Sequence, residues 1–189
     1  MGKFDKEVLY EINNFMPSNY TNCQEIYRDL LDKYETMKKL LIVDISVPGL
    51  LRKLNIIKLS TDFIVQKQLL EQLIEELQPQ LYERDEIIGL VSNIASDCIS
   101  LISIFRKIPV SEILQNVANI YVQKNGFYGD VWYGRKETGI CIDMGRKVVR
   151  LEGIFDKNLS PNKEETLYDT LSDLINYCSL MTVYIKYIS

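Results

Sequence analysis

Apolar residues recur at steps of three and four along most of this chain. In residues 20–42, YTNCQEIYRDLLDKYETMKKLLI, the positions Cys23, Ile26, Tyr27, Leu30, Leu31 and Tyr34 share one side of a helix. Residues 61–78 and 86–105 carry the same period, as do SEILQNVANIYVQ at 111–123 and GICIDMGRKVVRLEGIF at 139–155. Ser111 is placed to cap the helix it opens. A last helix is predicted from Lys163 to near the C-terminus, introduced by Ser160 and Pro161 at cap and first-turn positions and by acids in the first turn. VPGLL at 47–51, Gln78–Pro79 and KIP at 107–109 are the predicted breaks, because proline disfavours helix in the residue before it. The strand signals, VWYG and KVVRL, are short and sit inside helical patterning. The pattern predicts an all-α helical bundle with an N-terminal helical half over 1–106 and a C-terminal helical half over 110–189.

Two segments raise the question of related halves. RDEIIGLVSNIASDCISL at 84–101 lines up without gaps on EETLYDTLSDLINYCSLM at 164–181, pairing Ser92 with Ser172 and Cys98 with Cys178. Gly89 then falls opposite Asp169, and Asn93 opposite Asp173. The few identities weigh toward chance similarity between two amphipathic helices over a duplication.

Between two helical segments lies NGFYGDVWYGRKETG, residues 125–139, which holds four of the nine glycines and the one tryptophan. It is expected as a loop. Gly126, Gly129, Gly134 and Gly139 let backbone N–H groups approach a ligand, and Phe127, Tyr128, Trp132 and Tyr133 offer flat faces for a base. Arg135 and Lys136 add positive charge. The structural alternative is a helix connection whose aromatics fold onto the core.

Composition narrows the chemistry. The 189 residues are 47% hydrophobic and 25% charged, enough for one ordinary core or two small ones, and carry a net charge of −4. That balance argues against non-specific affinity for nucleic acid or an anionic membrane. No uninterrupted apolar run of about 18–20 residues is present. The start, MGKFDKEVLYEINN, has acids where a secretory signal needs an apolar core, so a cytoplasmic location is expected. The four cysteines are far apart and read as buried free thiols. There is no histidine, which leaves carboxylates, lysines, tyrosines or a hard cation for any chemistry.

On the last helix, Leu167, Leu171, Leu174, Cys178, Met181 and Ile185 form a core stripe, and Asp169, Asp173 and Asn176 form a second stripe. Because the helix turns apolar nearly all round after Asp173, those acids need partners. The preceding helix supplies them, with Asp143, Lys147 and Arg150 at i, i+4 and i+7. Two readings follow. Lys147 and Arg150 neutralise Asp169 and Asp173 across a helix seam; or Asp169 and Asp173, with Asp143 or Glu165, hold Mg²⁺ while Lys147 and Arg150 take phosphate oxygens. Glu165 also suits a capping box begun by Asn162.

The runs K-N-G-F-Y-G, R-K-V-V-R-L-E and E-E-T-L-Y-D-T-L-S-D-L-I-N-Y resemble the nucleotide modification associated domain family, small helical proteins common in phages. The resemblance covers residues 112–186. It implies site positions at Lys124, Tyr128, Gly129, Lys147, Arg150, Leu151, Glu165, Asp169, Thr170, Asp173, Asn176 and Tyr177. Phe127 stands where the family pattern has an aspartate. The acidic helices are similar, more weakly, to all-α nucleoside triphosphate pyrophosphohydrolases of the MazG and dimeric dUTPase type. The resemblance implies a phage-type nucleotide-binding protein that acts on or sequesters a nucleoside phosphate. In that reading Asp169, Asp173 and Glu165 are the catalytic candidates, Asp169 and Asp173 the Mg²⁺ candidates, and Lys124, Tyr128, Gly129, Trp132, Lys147, Arg150, Asn176 and Tyr177 the nucleotide contacts. The alternative is a non-enzymatic helical module that binds a second copy of itself or a host factor.

Overall fold

The computed structural model describes residues 2–19, 21–42, 63–156 and 163–188. Six α-helices occur among them: α1 (Asp5–Asn14), α2 (Cys23–Ile42), α3 (Phe63–Arg106), α4 (Val110–Tyr128), α5 (Lys136–Phe155) and α6 (Lys163–Tyr187), with a 3-10 segment, Gly129–Arg135, between α4 and α5. No strand is present among the described residues. Helix α2 packs on α3, α3 on α6, α6 on α5 and α5 on α2, which closes a four-helix ring. Helices α1 and α4 cover a further side of α6. The all-α bundle follows from the three-and-four spacing, which gives each helix an apolar face that only another helix can cover.

α6 is the centre of the molecule. From Leu167 to Ile185 it meets solvent substantially only at Asp169, with Tyr168, Asp173 and Tyr177 half-buried. Leu171, Leu174, Ile175, Cys178, Met181 and Val183 are fully buried, and each such aliphatic side chain contributes about 1.5–3 kcal/mol by leaving water. Thr170, Ser179 and Thr182 are buried too, and return hydrogen bonds of 2.6, 2.7 and 3.0 Å to carbonyls of the same helix. One core unites residues from both sides of Lys107–Pro109, among them Ile12, Leu30, Ile99, Leu151 and Met181.

Several predicted boundaries move. The helical path of α3 runs through Pro79, because losing one backbone bond in a helix of 44 residues does not end it. The break at 107–109 is present, and Lys107 takes φ 52 there. Pro109, not Ser111, stands at the N-cap of α4, and no side chain caps it. VPGLL and the Ser160–Pro161 cap lie outside the described residues. Helix α1 was not apparent from periodicity in its ten residues. Arg84–Arg106 is long and apolar enough by length and composition to cross a membrane, and 56% of its most apolar window is buried inside this fold.

Two polar devices lock α2 into the ring. Lys33 reaches Asp29 at 2.6 Å and the fully buried Asp97 of α3 at 2.7 Å. Burial opposes the Lys33 charge, but the hydrogen bonds to both carboxylates outweigh it and hold the ammonium above its ordinary pKa. Against α5, the Tyr27 ring stacks on Phe155 at 4.3 Å, and the Tyr34 hydroxyl donates to the Cys141 carbonyl at 3.3 Å. That hydroxyl occupies the space a methyl group on Gly145 would need.

Lys33→Met orphans Asp97 and is expected to lose about 3–5 kcal/mol in urea denaturation, whereas Lys33→Met with Asp97→Leu recovers most of the loss. A second expectation concerns alkali. Burial pushes Cys98 and Cys178 above the ordinary 9.0 and Tyr27 and Tyr34 above 10.0. Between the ordinary and the raised values the folded chain holds protons that the unfolded chain has released, so stability falls as pH rises. Melting temperature should decline from about pH 9 upward, and Tyr27→Phe should flatten the part above pH 10.

Candidate functional site

The segment expected as a fifteen-residue loop is mostly helical. α4 continues through Gly126 and Phe127, since glycine costs a helix only about 1 kcal/mol and stands here in the last turn. Gly129, with φ 58, ends it. The seven-residue 3-10 turn that follows leads directly into α5. The short connection holds α4, the turn, α5 and α6 around one cavity of about 400 Å³.

Each helix gives the cavity one face. α4 supplies Tyr121, Lys124 and Asn125 at i, i+3 and i+4; α5 supplies Asp143 and Lys147 at i and i+4; α6 supplies Asp173, Asn176, Tyr177 and Leu180 at i, i+3, i+4 and i+7. Gly129, Val131, Trp132 and Arg135 come from the 3-10 turn. Of the nucleotide-contact candidates, Lys124, Gly129, Trp132, Lys147, Asn176 and Tyr177 thus stand in one wall, together with Asp173. Arg150 and Asp169 are exposed and outside it, each about one helical turn from a wall residue. The side chains of Tyr128 and Glu165 lie outside the described residues.

The charges are organised around two carboxylates. Asp173, 16% exposed, accepts from Lys124 through one oxygen and from Lys147 through the other, the latter at 2.7 Å. Asp143, 9% exposed, accepts from Arg135 through one oxygen and from Arg146 through the other, the latter at 2.8 Å. Four cations against two carboxylates leave two positive charges, in a chain whose net charge is −4. Lys124 and Arg135, both in the cavity wall, are half or more exposed and stand at its rim, with the acids beneath them; Arg146 is exposed outside the wall. The predicted seam between α5 and α6 therefore exists at Lys147–Asp173. Tyr177 is pushed above its ordinary pKa by burial and by the charges of Asp143 and Asp173, partly offset by Arg135 and Arg146. Its phenol keeps its proton at neutral pH.

The floor is different. Asn176 is 8% exposed and Trp132 9%. Both amide atoms of Asn176, Nδ2 and Oδ1, and the indole Nε1 of Trp132 are buried without a hydrogen-bond partner. Each such orphan costs about 1–3 kcal/mol; Glu7 Oε2, Asp97 Oδ1 and Ser172 Oγ share the state outside the cavity wall.

The aromatic residues divide between core and surface. The Trp132 ring meets Phe4 edge-on at 6.0 Å, Tyr133 stacks on Phe4 at 5.8 Å, and Trp132 and Tyr133 meet each other at 6.4 Å. Tyr133 is thus drawn to the N-terminal segment, and Phe127 is 81% exposed outside the cavity wall. Behind the wall stands Asp5, 8% exposed. It accepts from Tyr121 Oη at 2.8 Å and from Asn125 Nδ2 at 2.7 Å. Tyr121, Asn125, Val131 and Leu180 and this brace were not among the expected site residues. Their partners lie up to 120 positions away in sequence, and helical periodicity reports only neighbours along one element.

Among the described residues, no three acidic or thiol side chains come together as a metal site. No family model, curated protein or solved structure matches this chain.

Asp5→Ala removes the acceptor of two wall residues and should cost about 1–3 kcal/mol. Trp132 is the chain's one tryptophan, so its emission reports the wall directly. A red shift in folded Asp5→Ala is expected; an unchanged spectrum would show that the brace does not shape the cavity.

Proposed function

We propose that this cavity binds a phosphorylated small molecule of nucleotide size, for sequestration or for phosphohydrolysis. One observation carries the reading: three cations of the cavity wall, Lys124, Arg135 and Lys147, are held on its two carboxylates, Asp173 and Asp143, with a fourth, Arg146, on Asp143 from outside the wall. Ammonium and guanidinium groups at such a rim suit phosphate oxygens, which accept several charge-assisted hydrogen bonds at once. The resemblance of the K-N-G-F-Y-G, K-x-x-R-L and D-T-x-x-D-L-x-N-Y runs to a phage nucleotide modification family supports a nucleotide as the molecule. In this reading Lys124, Lys147 and Arg135 turn from their carboxylates to the phosphates, while Tyr177 offers a neutral hydroxyl.

Mg²⁺ would reach the wall carboxylates only where their cations have turned to the phosphates. Both oxygens of Asp173 are held by ammonium groups, both of Asp143 by guanidinium groups, and Asp169 is exposed away from the cavity. Mg²⁺ belongs to this proposal only as a counterion that a phosphate chain brings with it.

A second reading, a helical protein-binding module, is favoured by Ile142 and Val149, which stand seven residues apart on α5 at 54% and 65% exposure. Sedimentation at rising concentration tests self-association through that face, with Ile142→Ser and Val149→Ser as the control.

The purified protein is incubated with a mixed pool of ribo- and deoxyribonucleotides with and without Mg²⁺, removed by filtration, and the filtrate resolved by ion exchange. Depletion of one nucleotide class is expected for sequestration, and new monophosphates for hydrolysis. Lys124→Gln with Arg135→Gln, both half-exposed, should fold normally and weaken retention about 10–100-fold. An unaltered pool would overturn the proposal.

A further inference from the structure

The two ends of the cavity differ in chemistry. Its rim is cationic, and its floor holds Asn176 and Trp132 with three orphaned polar atoms, beside the buried Leu180 and Tyr121. Two exposed helical asparagines, Asn13 and Asn14, donate to the carbonyl four residues back, each at 2.8 Å. Asn176 sits in a helix as well and forms no such bond.

A phosphate cannot complete this floor. Its oxygens accept from Nδ2 or from the indole N–H but have no proton to give Oδ1, and the rim cations already suit them. What completes an amide is a flat edge carrying an acceptor beside a donor, the arrangement that nucleobases present and that asparagine reads in a bidentate way. A further acceptor on the same ring answers the indole N–H. Leu180 and Val131 supply apolar wall for the ring faces.

Resting on the phosphate reading above, we propose that a nucleotide enters base first, with Asn176 and Trp132 taking the hydrogen-bonding edge of its base and the rim cations its phosphate. A cavity of about 400 Å³ lies near the small end of the usual range for ligand sites. It therefore takes a mononucleotide and not an oligonucleotide.

The test uses the full chain and six probes: the 5′-monophosphates of adenosine, guanosine, cytidine and uridine, ribose 5-phosphate, and inorganic phosphate. Binding is measured by calorimetry. At least one nucleotide should bind tenfold or more tightly than ribose 5-phosphate. Asn176→Leu should bring that nucleotide down to the ribose 5-phosphate level while leaving ribose 5-phosphate unchanged, and should melt no lower than the parent, because it removes orphaned polar atoms. Should Asn176→Leu fail to fold, Trp132→Phe keeps the aromatic ring, deletes Nε1–H, and should narrow the same gap severalfold. Equal binding of all four nucleotides and ribose 5-phosphate, or a gap that survives both variants, overturns the base-first site and leaves the phosphate reading standing. No binding of any probe, inorganic phosphate included, overturns both.

Discussion

The constraint on which this molecule depends is the burial of α6. A helix enclosed by α1, α3, α4 and α5 has almost no side left for solvent, so every polar side chain on it needs an internal answer. Thr170, Ser179 and Thr182 find theirs in the helix's own carbonyls. Asp173 finds two lysines, one from α4 and one from α5, and thereby fixes the spacing of three helices around the cavity. Asn176 and Ser172 find nothing. Ser172 lies away from the cavity, whereas Asn176 stands in its wall, where the proposed ligand could supply the partner.

The same logic explains how two readings of the charged residues came to coincide. Lys147 and Asp173 were open either to neutralise each other or to divide between a phosphate and a metal. In the fold they form a pair at 2.7 Å, and that pair lies in the cavity wall. An ion pair with one partner 21% and the other 16% exposed is held in place without being sealed off. In the proposed reading, such a pair holds its cation in position for a dianionic phosphate that would compete with the carboxylate.

The helical spacing made the fold class legible, together with the apolar wrap of the last helix and the candidates Lys147, Asp173 and Asn176; Gly129 and Trp132 came from the composition of the glycine-rich segment, and Lys124 and Tyr177 from the family resemblance. These residues repeat at i, i+3 and i+4 on elements that the sequence pattern identifies, or sit in the turn between them. Arg150 and Asp169 satisfied the same spacing and yet face solvent, because periodicity gives a helix its stripes without saying which stripe meets which neighbour. The glycine-rich segment misled for a related reason: only Gly129 among its glycines uses a left-handed conformation, and composition does not reveal φ. Asp5 was beyond reach altogether, since its role comes from Tyr121 and Asn125, which meet it only after α1 has docked on α4. The aligned segments at 84–101 and 164–181 belong to α3 and α6, which pack on each other. A shared demand for one deeply buried face accounts for their common apolar positions without requiring common descent.

The N-terminal helix also sets the limits of the cavity. Phe4 packs on both Trp132 and Tyr133, at 6.0 and 5.8 Å, and Asp5 ties down Tyr121 and Asn125 behind them. Lys186 near the end of α6 reaches back to Glu11 at 2.9 Å. The first helix is thus bound at both ends of its length to the elements that form the site. A ligand at the cavity would pull on the same contacts that dock α1, so binding and the docking of α1 share their free energy. Whatever rigidity the floor has derives from this brace and from the burial of α6 on its other sides.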